Sequence, residues 1–101
     1  MSTATEMVAV LMTDLVGSTA MADRLGPEAA EALRTEHFGL LRGALERSAG
    51  REVKNLGDGL MVVFSSAAHS LACAARMQQA VEARNRRSAE RLGLRIGVSV
   101  G

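Results

Sequence analysis

Two short stretches of the chain, Met7 to Thr13 and Leu60 to Phe64, carry apolar side chains on both alternating sets of positions. In the first, Met7, Ala9 and Leu11 alternate with Val8, Val10 and Met12. A strand with one wet face alternates apolar with polar residues, so strands of this kind belong inside a sheet, covered on both sides. Two further stretches read as strands of another sort. Arg51 to Leu56 is only apolar-leaning, and Leu94, Ile96, Val98 and Val100 alternate with Arg95, Gly97 and Ser99 in the half-exposed pattern of a sheet edge. Between Leu56 and Leu60 stands Gly57-Asp58-Gly59, whose glycines tolerate positive φ and so predict a tight hairpin.

The remaining segments are helical. A short helix is expected from Ser18 to Arg24, ended by Gly26; Pro27 suits a first helical position, with Glu28 and Glu31 at the positive end of the helix dipole. Leu33, His37, Leu40, Leu41, Ala44 and Leu45 then form an apolar stripe that runs until Gly50, with His37 as a packing residue on it. Over Ala67 to Arg87, Leu71, Ala74, Ala75, Met77, Gln78 and Val81 outline an inner side, and Arg76, Gln79, Arg84 and Arg86 an outer one. His69 is expected to face solvent. Cys73, the only cysteine, reads as a small buried thiol. The order strand, two helices, hairpin, helix, strand predicts a ferredoxin-like βααββαβ fold of the α+β class. Its four-stranded antiparallel sheet would have the order 4-1-3-2, with the helices on one face. The other face, apolar on the interior strands, then calls for a second copy or another chain to cover it.

Composition narrows the function. The 101 residues make one domain, 48% hydrophobic and 23% charged, and a net charge of +1 gives no case for nucleic acid or an anionic membrane as partner. An RNA-binding sheet would need aromatic side chains on the central strands, where Leu11 and Val62 stand. No run reaches transmembrane length, and the run from Met7 to Met12 is too short for a signal sequence, so a cytoplasmic domain over residues 7–101 is expected behind a frayed tail at 1–6. Gly57-Asp58-Gly59 leads into a strand, which excludes a Rossmann phosphate loop.

In the predicted sheet the end of the first strand and the hairpin before the third lie at the same edge. Two of the three aspartates, Asp14 and Asp58, stand there. Read singly, Asp14 is a helix N-cap and Asp58 is turn chemistry. Together, two carboxylates with no basic partner are poor for stability and suit a hard divalent cation. Gly17-Ser18-Thr19 follow Asp14 and open a helix, whose free amides attract anions. Eleven arginines stand against a single lysine, Lys54, a position where a compact ammonium is wanted instead of a guanidinium fork. Cation site, helix N-terminus and nearby ammonium together read as triphosphate recognition.

The segments Val10-Leu11-Met12-Thr13-Asp14-Leu15-Val16-Gly17-Ser18-Thr19 and Val53-Lys54-Asn55-Leu56-Gly57-Asp58-Gly59-Leu60-Met61-Val62-Val63-Phe64 resemble the two signature blocks of class III nucleotidyl cyclases. Leu94 to Gly101 resembles the strand that follows in that family, and the similarity runs from Val8 to the last residue. It implies an adenylate cyclase, converting ATP to cyclic AMP and pyrophosphate. In it Asp14 and Asp58 are the catalytic carboxylates and hold two Mg2+ or Mn2+ ions, with the Leu15 carbonyl as a further ligand. By the same resemblance one ion activates the ribose 3′-hydroxyl for in-line attack on the α-phosphate, and the other steadies the triphosphate as pyrophosphate leaves. Val16, Gly17, Ser18 and Thr19 would cradle phosphate oxygens. Lys54 matches the position that reads the purine, where Lys goes with adenine, and in head-to-tail dimers it serves the site whose metals the other subunit holds.

Met12 and Ser18 depart from the pattern, standing where the family usually has Phe. By the resemblance, residues 7–101 correspond to the N-terminal half of the catalytic domain; the Asn and Arg that stabilise the pentavalent phosphate belong to the other half. The chain alone is therefore expected to bind ATP and metal and to be inactive or nearly so. The alternative is a non-catalytic dimerisation or regulatory module acting on a full-length cyclase.

Overall fold

Strand β1 (Ala9–Val16) lies inside a four-stranded antiparallel sheet, between β3 (Leu60–Phe64) and β4 (Gly93–Val100), while β2 (Arg51–Asn55) pairs with the outer side of β3. The order β2-β3-β1-β4 is the expected 4-1-3-2 read from the opposite edge. The computed structural model describes residues 8–101, so the tail expected at 1–6, and Met7 of the first strand, lie outside the described residues. Register sets Ala9 opposite Phe64, Met12 opposite Met61 and Asp14 opposite Arg95.

Helices α1 (Ser18–Leu25), α2 (Pro27–Glu46) and α3 (Ala67–Asn85) bury one face of that sheet. Ala9, Leu11 and Leu15 of β1 and Leu60, Val62 and Phe64 of β3 pack against Phe38 and Leu41 of α2 and against Cys73, Met77 and Val81 of α3. Each large side chain so buried contributes roughly 1.5–3 kcal/mol, and a slip of one residue would turn the whole set outward, so burial fixes the register. Leu11 and Val62, the positions considered for base stacking, are therefore inside the core and fully buried. The other set, with Val10, Met12, Asp14, Val16, Met61 and Val63, points away from the helices, and Met12 and Val16 are exposed.

The phase of α3 differs from the sequence expectation. Leu71, expected inward, is 60% exposed, whereas Arg84, expected outward, is 6% exposed. The buried stripe is Ser70, Cys73, Met77, Val81, Arg84 and Asn85. Arg84 tolerates burial because its guanidinium is satisfied: it pairs with Glu36 of α2 at 3.0 and 3.1 Å, and donates to Asn85 Oδ1 and to the Glu90 carbonyl. Asn85 in turn donates to the Leu92 carbonyl at 2.8 Å and accepts from the Leu92 N–H at 2.9 Å, which fixes the loop entering β4. His37 is fully buried, edge-on to the Phe38 ring, and neither ring nitrogen has a hydrogen-bond partner among the described residues. Burial pushes its pKa down. Cys73 is buried and His69 exposed, both as expected. Among the described residues no helix is long and apolar enough to cross a membrane.

Candidate functional site

The hairpin between β2 and β3 folds back against the end of β1. Its turn is closed by the Leu56 N–H donating to the Gly59 carbonyl at 2.7 Å, with Gly57 at φ +92°. Two hydrogen bonds then tie the hairpin to β1: the Leu15 N–H donates to the Asp58 carbonyl, and the Leu60 N–H to Thr13 Oγ1, each at 2.9 Å. The approach is close enough that only glycine fits at 59, since a Cβ there would fall 1.7 Å from the Thr13 carbonyl oxygen. In consequence Asp14 and Asp58, 44 positions apart in the chain, border one open cleft of about 560 Å3.

Each aspartate also has an arginine, which corrects the expectation of carboxylates without basic partners. Arg95 Nη2 lies 2.6 Å from Asp14 Oδ2, and Arg34 Nε lies 3.6 Å from Asp58 Oδ1. The Ser18 hydroxyl donates to Asp58 Oδ2 at 2.7 Å. Arg95 reaches Asp14 because β1 and β4 set the two residues directly opposite each other. That pair was legible once the sheet order was fixed, from opposite charges at one register position. Arg34 comes from α2, and nothing in the local sequence singles it out.

The donor set is that of a hard cation. Two carboxylates supply oxygen, and among the described residues no third Asp, Glu, His or Cys gathers with them. Both ion pairs are partly solvated, and exposed pairs of this type are worth about 0–1 kcal/mol, so a divalent cation can displace the arginines at small cost. The residues therefore fit Mg2+ or Mn2+, with the remaining coordination left to backbone carbonyl, water or ligand oxygen.

The other predicted residues are placed less directly. Leu15 has its side chain in the core, so only its backbone can serve a ligand. Val16 ends β1, Gly17 caps α1, and Ser18 and Thr19 open it; of these Ser18 alone touches an aspartate, and none borders the cleft. Lys54 lies exposed on β2 opposite Met61, on the far side of β3 from β1, and does not border the cleft either.

The family model of the Adenylate and Guanylate cyclase catalytic domain matches residues 1–101. A Rhizobium meliloti (strain 1021) protein named "Putative adenylate cyclase 3" is 34% identical over 97 residues, which are 94% of this chain and 16% of that protein. The crystal structure of an adenylate/guanylate cyclase/hydrolase from Silicibacter pomeroyi has a TM-score of 0.78 at 29% identity, over 94% of this chain and 56% of that one. The guanylyl cyclase Cya2 gives a TM-score of 0.83 at 24% identity, over 94% and 54%. At that identity the likeness speaks for the fold alone. The chain spans about half the length of these solved structures and a smaller share of the Rhizobium protein.

Proposed function

The chain belongs to the adenylate and guanylate cyclase catalytic domain family, and from that premise we propose that its cleft binds ATP together with two divalent cations, Mg2+ or Mn2+, at Asp14 and Asp58. The observation that carries this reading is the convergence of two aspartates from separate segments on one open cleft, beside an arginine and within reach of a helix start. Asp14 and Asp58 would hold the cations, with the Leu15 carbonyl as a further oxygen. Bound there, divalent cations supply charge for a triphosphate and lower the pKa of a coordinated hydroxyl. The chain's own residues do the rest of the positioning. Ser18 holds the Asp58 carboxylate in place, Arg95 is freed toward phosphate oxygens once Asp14 is engaged elsewhere, and the turn at Val16, Gly17, Ser18 and Thr19, next to the cleft without bordering it, would offer the amides of a helix start to an anion that extends beyond it.

The reaction of the whole site is the cyclisation of ATP to cyclic AMP with release of pyrophosphate. Because these residues span about half of the solved cyclase structures, the chain by itself binds substrate and turns it over negligibly. Lys54 supports a two-chain site: exposed on the edge strand and away from its own cleft, it is available to read adenine in the cleft of a second chain. The solvent-exposed Val8, Met12 and Val16 of the uncovered sheet face favour the same arrangement, a second copy or another cyclase chain. That face would equally serve a regulatory role on a full-length cyclase.

The test is calorimetric titration with Mn2+ in the presence of ATP, for the wild type and for Asp58→Ala. Binding by the wild type that is lost in the variant supports the site. Equal heats for the two proteins would overturn it.

A further inference from the structure

On the helical side of the domain, at the end of the sheet opposite Asp14 and Asp58, a second cleft of about 240 Å3 opens between the end of α2 and the start of α3. Its rim carries Arg47, His69 and Arg76, and no acidic residue lines it. The charge is unspent. Among the described residues Arg47 and Arg76 form no ion pair with a carboxylate, whereas Arg24, Arg34, Arg42, Arg84 and Arg95 all do. Arg76 is nonetheless held in place, because its Nη1 donates to the Arg47 carbonyl at 3.0 Å across 29 residues of sequence. That bond spans the two elements and leaves the rest of the guanidinium fork free. The turn below adds one more donor: the Ala49 N–H has no hydrogen-bond partner among the described residues, while those of Arg47, Ser48 and Gly50 are taken. The Ser48 hydroxyl is excluded as a donor, since it already gives its proton to the Leu45 carbonyl.

We propose that this cleft is a second anion site, distinct from the cyclase cleft, for a small phosphate or pyrophosphate group held by Arg47, Arg76 and His69. Two guanidinium forks and an imidazole without a carboxylate among them match oxygens that accept from several directions. The volume sets the class of ligand. Ordinary small-molecule pockets run to roughly 300–1,000 Å3, so this one falls short of a nucleotide but takes an inorganic anion with part of its hydration. Phosphate is favoured over a carboxylate because two guanidinium forks and an imidazole, standing apart on the rim, offer more donors than one flat carboxylate can satisfy.

The assignment is tested by following backbone amide shifts in a 15N-labelled chain during titration with sodium phosphate, pyrophosphate and acetate. Ionic strength is held constant with chloride, and EDTA removes divalent cations so that the cyclase cleft does not contribute. Saturable shifts at Ser48, Ala49 and His69 are expected with phosphate and pyrophosphate, with affinity at least about tenfold weaker for acetate. Arg76→Gln and Arg47→Gln are each expected to weaken the phosphate response by about tenfold, and Arg86→Gln to leave it unchanged. Should Arg76→Gln disturb the fold through loss of its bond to Arg47, Arg47→Gln, whose carbonyl is retained, decides alone. Shifts that are linear in concentration, spread over all exposed arginines, or equal in Arg47→Gln and wild type would overturn the proposal. Acetate binding as tight as phosphate would assign the cleft to carboxylates and overturn it equally.

Discussion

Gly59→Ala is the substitution that should separate the two sides of the cleft that Asp14 and Asp58 border. An added Cβ would sit 1.7 Å from the Thr13 carbonyl oxygen and 2.6 Å from its carbon, both backbone atoms of an interior strand. No rotamer change relieves a contact with backbone, so hairpin and β1 must part by roughly 1.5–2 Å to restore ordinary van der Waals distance. That displacement breaks the bonds from the Leu15 N–H to Asp58 and from the Leu60 N–H to Thr13 Oγ1, both now 2.9 Å. Leu15 and Leu60 are buried, and a buried donor left unpaired costs about 1–3 kcal/mol. Replacing glycine returns about 0.4–1 kcal/mol through the unfolded chain, which leaves a net loss of about 1–5 kcal/mol, a large part of the stability of a domain this size. Urea unfolding followed by circular dichroism reads it as a lower midpoint at unchanged slope. Gly57→Ala is the contrast. Nothing lies within 4 Å of a Cβ there, so only the strain of φ +92° remains, about 1–2 kcal/mol. A Gly59→Ala protein within about 0.5 kcal/mol of wild type, or less destabilised than Gly57→Ala, would refute the argument that close approach at 59 holds the aspartates together.

Asn85→Ala should cost about 2–4 kcal/mol in the same urea assay, because it leaves both the N–H and the carbonyl of buried Leu92 without partners. Stability should also fall as the pH drops below about 6.5, since the unfolded chain then binds a proton that buried His37 refuses. His37→Leu should flatten that limb between about pH 7.5 and 5, and an unchanged pH dependence would count against it. Arg95→Ala should change stability by less than about 1 kcal/mol while raising Mn2+ affinity severalfold by calorimetry, because its partner Asp14 is released from an exposed ion pair.

The sheet was legible in the sequence for a reason that does not extend to α3. In β1 and β3 both alternating sets are apolar, and in β4 one set carries Arg95 and Ser99, so interior and edge strands differ in kind. The helix 67–85 has no such contrast. Alanines at 67, 68, 72, 74, 75, 80 and 83 make several rotational phases nearly equivalent, and one exposed Leu71 weighs more in an apolar pattern than the Ser70 and Cys73 that are actually buried. What settles the phase is tertiary: Arg84 is drawn inward by Glu36, 48 residues away, and Asn85 by the backbone of Leu92. A guanidinium scored as polar points outward in any periodicity argument until its partners are known.

The same distinction runs through the cleft at Asp14 and Asp58. Asp14 and Asp58 were readable because antiparallel pairing of β1 with β3 carries the later part of β1 and the hairpin before β3 to one edge, although β1 runs on past the expected end at Thr13 to Val16, so that Asp14 lies within the strand. Their neutralising partners obey two different logics. Arg95 is fixed by strand register and so is a consequence of the sheet order, while Arg34 is fixed by how α2 lies across the sheet, which no local pattern encodes. The consequence is physical as well as predictive. Arg95 itself borders the cleft, so a guanidinium released from Asp14 is free to turn toward a ligand held beside it. Arg34 is already shared with Glu31 of its own helix at 2.7 Å, and release from Asp58 sends it back to that pair. Engagement of the two aspartates would therefore free one guanidinium beside the cleft, at β4, and leave the other paired on α2, an asymmetry suited to an anionic ligand held on the β4 side.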